Sequence, residues 1–192
     1  NDDFWGPRPT LRAVVAPIIR DEPTTFQALR AGEIDASAIG LPPASVATFE
    51  RAPDVEVAQG SNFATMLLIM DVTRPGLRDP EVRRAIAAAI DVDRLVNVLL
   101  LGYGTPGAPG FLHPDTRLAN PATLEPRSLP ADAVRASLER AGYALGPDGV
   151  YVGADGTRLA FEMLAPSDNP ARLRAGELLA QDLAEVGVDA TV

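Results

Sequence analysis

The most constraining feature of the sequence is a nearly unbroken apolar run at residues 64–72, which reads ATMLLIMDV. A strand with one face in water alternates polar and apolar residues, whereas a continuous apolar run is typical of a strand covered on both faces. Sheets covered on both faces occur mainly in α/β proteins, where helices pack on either side. The run is far shorter than the roughly 20 residues that a membrane-spanning helix requires. It therefore predicts a central strand in an α/β domain.

A strand, a helix and a second strand are predicted before this run. β-Branched and apolar residues at 11–20 favour a strand, and a second short strand is expected at 34–39. The intervening helix follows Asp21, has Pro23 in its first turn and stops at Gly32, as the preferences of proline and glycine predict. A helical crossover between two strands implies that the strands are parallel.

The same alternation of elements continues to the end of the sequence. Further predicted elements are a helix from Pro42 and Pro43 with Val46 and Phe49 buried, a strand at 55–58, helices beginning at Asp79 and Asp91, a helix at 130–141, a hairpin turned at Asp155-Gly156 between 150–152 and 158–164, a helix at 170–186 and a strand at 188–192. Residues 102–129 are rich in glycine and proline, and long irregular segments of this kind commonly have a function or wrap the surface. Together the elements predict an α/β lobe: a mixed sheet flanked by helices, with one β-hairpin and one long irregular loop.

Composition excludes several classes of function. The chain has 17 basic and 26 acidic residues, a net charge of −9, which opposes nucleic-acid binding because phosphates require clustered cations. It contains no cysteine, so disulfides, thiolate zinc sites and cysteine nucleophiles are excluded. The one histidine, His113, has only Asp115 nearby in sequence as a second ligand or catalytic partner. We therefore expect no metal, no cofactor and no nucleic-acid partner. Residues 1–6 lack the basic start and apolar core of a signal peptide, so any leader is expected outside this sequence.

Five stretches occur in an order that is typical of one protein family. They are residues 1–9 (NDDFWGPRP), 26–36 (FQALRAGEIDA), 66–91 (MLLIMDVTRPGLRDPEVRRAIAAAID), 138–143 (LERAGY) and the hairpin that follows. In this order they resemble lobe II of the family 5 extracellular solute-binding proteins, which are the peptide, nickel and oligosaccharide receptors of ABC importers. The resemblance implies a type II periplasmic-binding-protein fold, in which two lobes close on a solute by a hinge motion. It also implies that residues 1–192 form a single, truncated lobe II.

Three positions depart from the family pattern. Asp71 stands where the family usually has asparagine, and Leu129 stands where an aspartate usually caps the following helix. The loop at 165–170 lacks an arginine that some dipeptide-binding relatives use for the carboxylate of their ligand, which weakens a dipeptide assignment. Arg83 or Arg84 is a candidate to anchor the loop at Asp71.

The resemblance implies a receptor and not an enzyme. It predicts that the full-length protein is a monomer that binds a small solute, peptide-like or a related small polar molecule, and delivers it to an ABC permease without catalysis. It also implies an extracytoplasmic location, in the periplasm or on the outer face of the cell membrane, with a lipid anchor. Solutes of open α/β sheets bind at the carboxyl ends of strands. This rule indicates the following ligand-binding residues: Asp21, Gly40, Leu41, Ser61, Asn62, Phe63, Ser167, Asp168 and Asn169.

Two other functions remain open from the sequence. A hydrolase would need a nucleophile and a base, and Ser61 with His113 are the candidates, although no G-x-S-x-G sequence surrounds Ser61. A ligand-sensing ectodomain is a second alternative on the same fold, and a parent chain that continues into a membrane helix would favour it.

Overall fold

A computed structural model describes residues 4–37, 40–61, 63–107, 112–120, 128–167 and 169–192. The chain divides into two compact units, unit 1 at residues 1–57 and unit 2 at residues 58–192. Within the described ranges, no helix combines the length and the apolar character that crossing a membrane requires.

The described part of unit 1 contains two helices, α1 (Glu22–Ala31) and α2 (Pro43–Glu50). The side chain of Asp21 caps α1, and Gly32 ends it with a φ of 72°, a backbone conformation that glycine adopts without strain. The rings of Phe26 and Phe49 pack edge to face with their centroids 5.6 Å apart. Both side chains are buried. The two predicted helices and the predicted burial of Phe49 are therefore confirmed.

Unit 2 contains four helices and four short strands among its described residues. In chain order they are α3 (Pro80–Ala89), α4 (Val92–Leu100), α5 (Ala131–Arg140), β1 (Tyr143–Leu145), β2 (Tyr151–Gly153), β3 (Ala160–Glu162), α6 (Pro170–Glu185) and β4 (Asp189–Thr191). β1 pairs with β2 in antiparallel register, with Tyr143 opposite Gly153. β3 pairs with β4 in parallel register, with Ala160 opposite Asp189. Parallel and antiparallel pairs beside helices agree with the predicted α/β class.

Four predicted strands are wrong in the described residues. None of 11–20, 34–37, 55–58 and 64–72 is assigned to a strand, and residues 38 and 39 of the second lie outside the described ranges. The run at 64–72 is also not buried, since Ile69 is 86% exposed. A strand exists only where a neighbouring backbone pairs with it, and composition cannot supply that neighbour. Instead of one mixed sheet, the described residues form two separate two-stranded sheets.

The core of unit 2 lies between α3, α5, α6 and the strands. Its most buried members are Val82, Ala85, Ile86, Val134, Leu138, Tyr151, Leu159, Leu183, Val186 and Val188. The predicted apolar face of α3 therefore points into this core, and α3 begins as predicted, because Asp79 Oδ1 accepts a hydrogen bond of 2.8 Å from the Glu81 N–H. α5 begins at Ala131, after the N-cap residue Pro130, without a side-chain cap, as expected from Leu129. The Leu129 N–H instead donates to the carbonyl of Ala88 at 2.8 Å.

Both Asp-Gly pairs form turns. The predicted hairpin at Asp155-Gly156 is present, with Val152 bridged to Arg158 in antiparallel fashion. Its second arm differs from the prediction, since only residues 160–162 form a strand and they pair with β4 rather than with β2. The other pair, Asp148-Gly149, turns the chain between β1 and β2. That hairpin was not predicted.

The loop before α3 is held by several local hydrogen bonds. Asp71 Oδ1 accepts from the N–H of Thr73 at 2.9 Å and from its hydroxyl at 2.7 Å. These bonds, first the one from the hydroxyl, lower the pKa of the Asp71 carboxyl. The Arg83 guanidinium donates to the carbonyl of Leu77 at 2.7 Å. Arg83, one of the two hypothesised anchors, thus holds this loop through backbone carbonyls, and the Asp71 carboxylate forms an ion pair with Arg74, at 3.4 Å.

A buried carboxylate joins the α3–α4 junction to α6. The side chain of Asp182 is only 7% exposed and forms an ion pair with Arg94. It also accepts a hydrogen bond of 3.2 Å from the Asp91 N–H, and Arg94 donates a further one of 3.2 Å to the carbonyl of Leu178. Burial raises the pKa of the Asp182 carboxyl, while the bond from Asp91 and the charge of Arg94 oppose that rise. An unpaired buried charge is unfavourable, so the Asp182 carboxylate requires both Arg94 and the Asp91 N–H as partners.

Leu138→Ala tests the core of unit 2 against a matched surface change. Leu138 is fully buried, whereas Leu145 is 56% exposed. We expect Leu138→Ala to lower the free energy of unfolding by about 2–5 kcal/mol, because it removes buried methyl groups and leaves a cavity. Leu145→Ala should stay within roughly 0.5 kcal/mol of the wild type. Chemical denaturation measures both variants, and equal losses would contradict the packing described above.

Arg94→Met tests the buried ion pair, because it leaves the Asp182 carboxylate without its cation. We expect a loss of about 1–3 kcal/mol in the free energy of unfolding at neutral pH. The folded-state pKa of Asp182 already lies above its ordinary value, and removing Arg94 raises it further. Stability from a group with a raised pKa is greatest at low pH and is lost as pH rises through the folded-state value. The deficit of the variant should therefore shrink as the pH is lowered.

The double variant Arg94→Met/Asp182→Leu is the control for this experiment. It replaces the pair with apolar groups and should recover much of the lost stability, with little remaining pH dependence of the deficit. A single variant whose deficit is the same at acid and neutral pH would contradict the role assigned to Asp182.

Candidate functional site

The residues predicted to bind a ligand lie in both units. Asp21, Gly40 and Leu41 belong to unit 1, and Ser61, Phe63, Ser167 and Asn169 belong to unit 2. Asn62 and Asp168 lie outside the described residues. The Phe63 N–H donates to Ser61 Oγ at 3.4 Å, so these two residues are directly linked. Within the described part of unit 2, no hydrogen bond or ring contact joins Ser167 or Asn169 to that pair.

Two of the predicted ligand residues begin helices. Asp21 Oδ1 accepts a hydrogen bond of 2.9 Å from the Thr24 N–H. Asn169 Oδ1 accepts one of 3.0 Å from the Arg172 N–H. The side chain and the N–H of Thr24 lower the pKa of the Asp21 carboxyl, so it stays ionised as the pH falls until its folded-state pKa is reached. The oxygens used as caps are already paired, which leaves the amide NH₂ of Asn169 as a group that could face a solute.

Gly40, Leu41 and Ser167 differ in how far they are open to solvent. Gly40 is exposed, and a Cβ added there would meet no atom within 4 Å. Leu41 is half-buried, and Ser167 lies exposed in a turn. Gly40 and Ser167 therefore present backbone and a hydroxyl group that a solute could reach, whereas Leu41 is only partly accessible.

A cluster of four side chains connects Ser61 with the long irregular segment. We call Ser61, Phe63, His113 and Asp115 the Ser61–His113 cluster. Ser61 Oγ lies 3.4 Å from Nε2 of His113 and 3.5 Å from its Nδ1. The rings of Phe63 and His113 meet edge to face with centroids 5.5 Å apart. The Asp115 N–H donates to His113 Nδ1 at 3.2 Å. His113 was singled out from the sequence, but its contact with Phe63 was not predicted.

The geometry of this cluster does not support a serine hydrolase. In a Ser-His-Asp triad the carboxylate accepts the Nδ1 proton, so that Nε2 can take the proton of the serine. Here Nδ1 accepts from the Asp115 N–H, which assigns the proton of the neutral ring to Nε2. The Asp115 carboxylate lies 3.8 Å from Nδ1. The imidazole is thus held in the tautomer that cannot deprotonate Ser61 through Nε2.

Metal ligands are not gathered in the described part of the chain. No group of three histidine, cysteine, aspartate or glutamate side chains lies close enough there to hold an ion. The acidic residues are mostly engaged in helix caps, turns and ion pairs, as Asp79, Asp155 and Asp148 illustrate.

A cavity of about 260 Å³ surrounds the Asp182–Arg94 pair. Its lining is Ala89, Asp91, Arg94, Leu129, Ala131, Asp182, Glu185 and Val186, and it includes none of the predicted ligand residues. One feature of the sequence indicates the buried carboxylate in this cavity. Asp182 lies one helical turn after Leu178 and one turn before Val186, so a carboxylate occupies a position on the buried face of α6.

Comparison with known proteins identifies relatives over the full length of the chain. The family described as bacterial extracellular solute-binding proteins, family 5 Middle, matches residues 1–192. Protein XP55 of Streptomyces lividans is 27% identical over 192 residues, which is 100% of this chain and 34% of that protein. The probable di/tripeptide-binding protein 5 of Pseudomonas aeruginosa is 27% identical over 195 residues, covering 100% of this chain and 34% of that protein.

A solved structure shows the same fold. The crystal structure of NikA from Brucella suis in complex with Fe(III)-EDTA superposes with a TM-score of 0.79 at 24% sequence identity. The alignment covers 99% of this chain and 38% of that protein. The chain therefore spans about a third of the length of the proteins it matches, and it shares the fold of a type II periplasmic binding protein.

Asn169→Ala separates a structural role of this residue from a role in binding. Removing the cap oxygen should lower the free energy of unfolding by about 1 kcal/mol. Asn169→Ser keeps an oxygen for the Arg172 N–H and should unfold at nearly the wild-type denaturant concentration, although it lacks the amide NH₂. Chemical denaturation measures both variants. If Asn169→Ala is as stable as Asn169→Ser, the cap does not contribute as described.

Proposed function

Because the chain belongs to the family 5 bacterial extracellular solute-binding proteins, we propose that it forms part of lobe II of a two-lobe receptor. The complete receptor binds a small solute in the cleft between its lobes and delivers it to an ABC importer. Binding depends on hydrogen bonds and on shape complementarity, and the cleft closes around the solute without making or breaking a covalent bond. The observation that carries this proposal is the family match across all 192 residues.

We further propose that the solute is a peptide or a related small polar molecule. A relative named as a probable di/tripeptide-binding protein supports this class. The groups proposed to meet the solute are Asp21, Gly40, Leu41, Ser61, Asn62, Phe63, Ser167, Asp168 and Asn169. They combine carboxylate, hydroxyl, amide and backbone groups with the exposed ring of Phe63, a mixture suited to hydrogen bonds with a peptide or a related small polar molecule.

We propose that the full-length protein is extracytoplasmic and lies in the periplasm or on the outer face of the membrane, with a lipid anchor. The family description as extracellular supports this placement. In that setting the receptor acts as a monomer, and its partner is the membrane permease of the importer. Lobe II would contact the solute from one side, while the specificity of the receptor would depend on side chains of both lobes.

A thermal-shift screen of the full-length protein tests the proposal. The panel contains di- and tripeptides, oligosaccharides, opines, and nickel and iron chelates. A solute that binds the native state at about 100 times its Kd adds roughly 2.7 kcal/mol to stability. We therefore expect one class, the peptides, to raise the melting temperature by several degrees.

The 192-residue chain alone is the matched control for the screen. Half of a cleft covers too little of a small molecule, since formed pockets bury about 70% or more of a ligand. The chain alone should show no shift with a compound that stabilises the full-length protein. Micromolar binding by the chain alone would contradict the two-lobe site. A full-length protein that responds to no compound, and that releases no co-purified solute for mass spectrometry after denaturation, would contradict solute binding.

A further inference from the structure

We infer that His113 is a positioning residue that holds Ser61 and Phe63 in place and leaves the Ser61 hydroxyl as a donor to an acceptor oxygen of the solute. The part that concerns a solute rests on the proposed function. The conformational part rests on the geometry of the Ser61–His113 cluster alone.

Phe63 has a backbone conformation that requires external support. Its φ is 55°, in the left-handed region that non-glycine residues with bulky side chains rarely adopt. The residue is 58% exposed, so burial of the ring does little to offset the strain. The contacts that hold it are the bond from its N–H to Ser61 Oγ at 3.4 Å and the edge of the His113 ring. Strain of this kind persists only where surrounding structure determines the conformation, and here that structure includes His113.

His113 is held in place by contacts other than the one with Phe63. Its side chain is 14% exposed. The Asp115 N–H donates to Nδ1, and the Thr116 N–H donates to the His113 carbonyl at 3.0 Å, which closes a tight turn at 113–116. The ring is therefore an ordered surface against which Phe63 can pack, although 50 residues of sequence separate the two.

The same contacts determine what Ser61 can offer a solute. Its Oγ accepts from the Phe63 N–H and lies 3.4 Å from Nε2 of His113, which carries the assigned ring proton and therefore cannot accept the proton of Ser61. The lone pair of Nδ1 is already used by the Asp115 N–H. A hydroxyl oxygen has two lone pairs and one proton, so the proton of Ser61 remains to be donated. The geometry thus favours a carbonyl or carboxylate oxygen as the solute group that meets Ser61.

The amide resonance of Phe63 reports its conformation without any ligand. Full-length deuterated protein labelled with ¹⁵N-phenylalanine is used, and the Phe63 peak is assigned by its loss in Phe63→Leu. His113→Ala and His113→Gln remove the ring, and we expect the Phe63 peak to move towards its position in the unfolded protein or to split. His113→Phe keeps a ring against Phe63 and should restore a single peak close to the wild-type position.

Leu112→Ala is the matched control, because Leu112 lies beside His113 and its side chain is exposed. It should leave the Phe63 peak unchanged. The inference is overturned if the peak keeps its place in His113→Ala, if it moves equally in Leu112→Ala, or if His113→Phe moves it as far as His113→Ala. None of these outcomes depends on whether the protein binds a solute.

The donor role of Ser61 is tested with trialanine as the probe, by calorimetric titration of the full-length protein. Ser61→Ala should weaken binding about tenfold, which corresponds to one hydrogen bond. The double variant Ser61→Ala/His113→Ala should bind no more weakly than His113→Ala, since both changes act through one contact. Additive losses would overturn the coupling. If trialanine does not bind the wild type, the proposed peptide class fails, while the Phe63 resonance still decides the role of His113.

Discussion

Unit 2 depends on the packing of α3 against α5, which removes Val82, Val134 and Leu138 completely from solvent. Apolar burial of this kind is the main favourable term in folding, but it is not directional. The relative orientation of the helices is fixed by polar contacts at the edge of the core. Asp182 accepts from the backbone at the start of α4 and pairs with Arg94, so it fixes how α6 meets the α3–α4 junction. The apolar contacts stabilise the unit, and the buried carboxylate selects one arrangement of its helices.

The helices could be predicted because their signals are local. Asp79, Asp91 and Asn169 each cap a helix within three residues of their own position, and no distant part of the chain is needed for that bond. The strands could not be predicted equally well. The runs at 11–20 and 64–72 have the composition of buried strands, yet a strand also needs a paired backbone, and the described residues provide none. Among the predicted strands, pairing is present in the described residues only in the three segments near the end of the chain, where 150–152 overlaps β2, 158–164 contains β3 and 188–192 contains β4.

The candidate site shows the same division between local and distant information. The caps at Asp21 and Asn169 follow from sequence spacing. The contact between Phe63 and His113 joins an irregular segment to the residues before the apolar run, and no periodicity indicates such a pairing. Sequence alone suggested Ser61 with His113 only as a nucleophile and its base. The hydrogen bond from the Asp115 N–H to Nδ1 assigns the ring proton to Nε2, which is the opposite of the tautomer that a catalytic base requires. The pair is therefore interpreted as a structural contact and not as a nucleophile with its base.

The residues proposed to bind a solute are not equivalent as experimental targets. Asp21 and Asn169 hold the first turns of α1 and α6, so their loss changes folding as well as binding. Phe63 is strained, and replacing it relieves the backbone while it removes a ring. Ser167 carries an exposed hydroxyl and caps no helix, whereas the Ser61 hydroxyl also accepts from the Phe63 N–H. A weaker affinity therefore reports a lost solute contact most directly at Ser167, and at Asn169 only when serine keeps the cap.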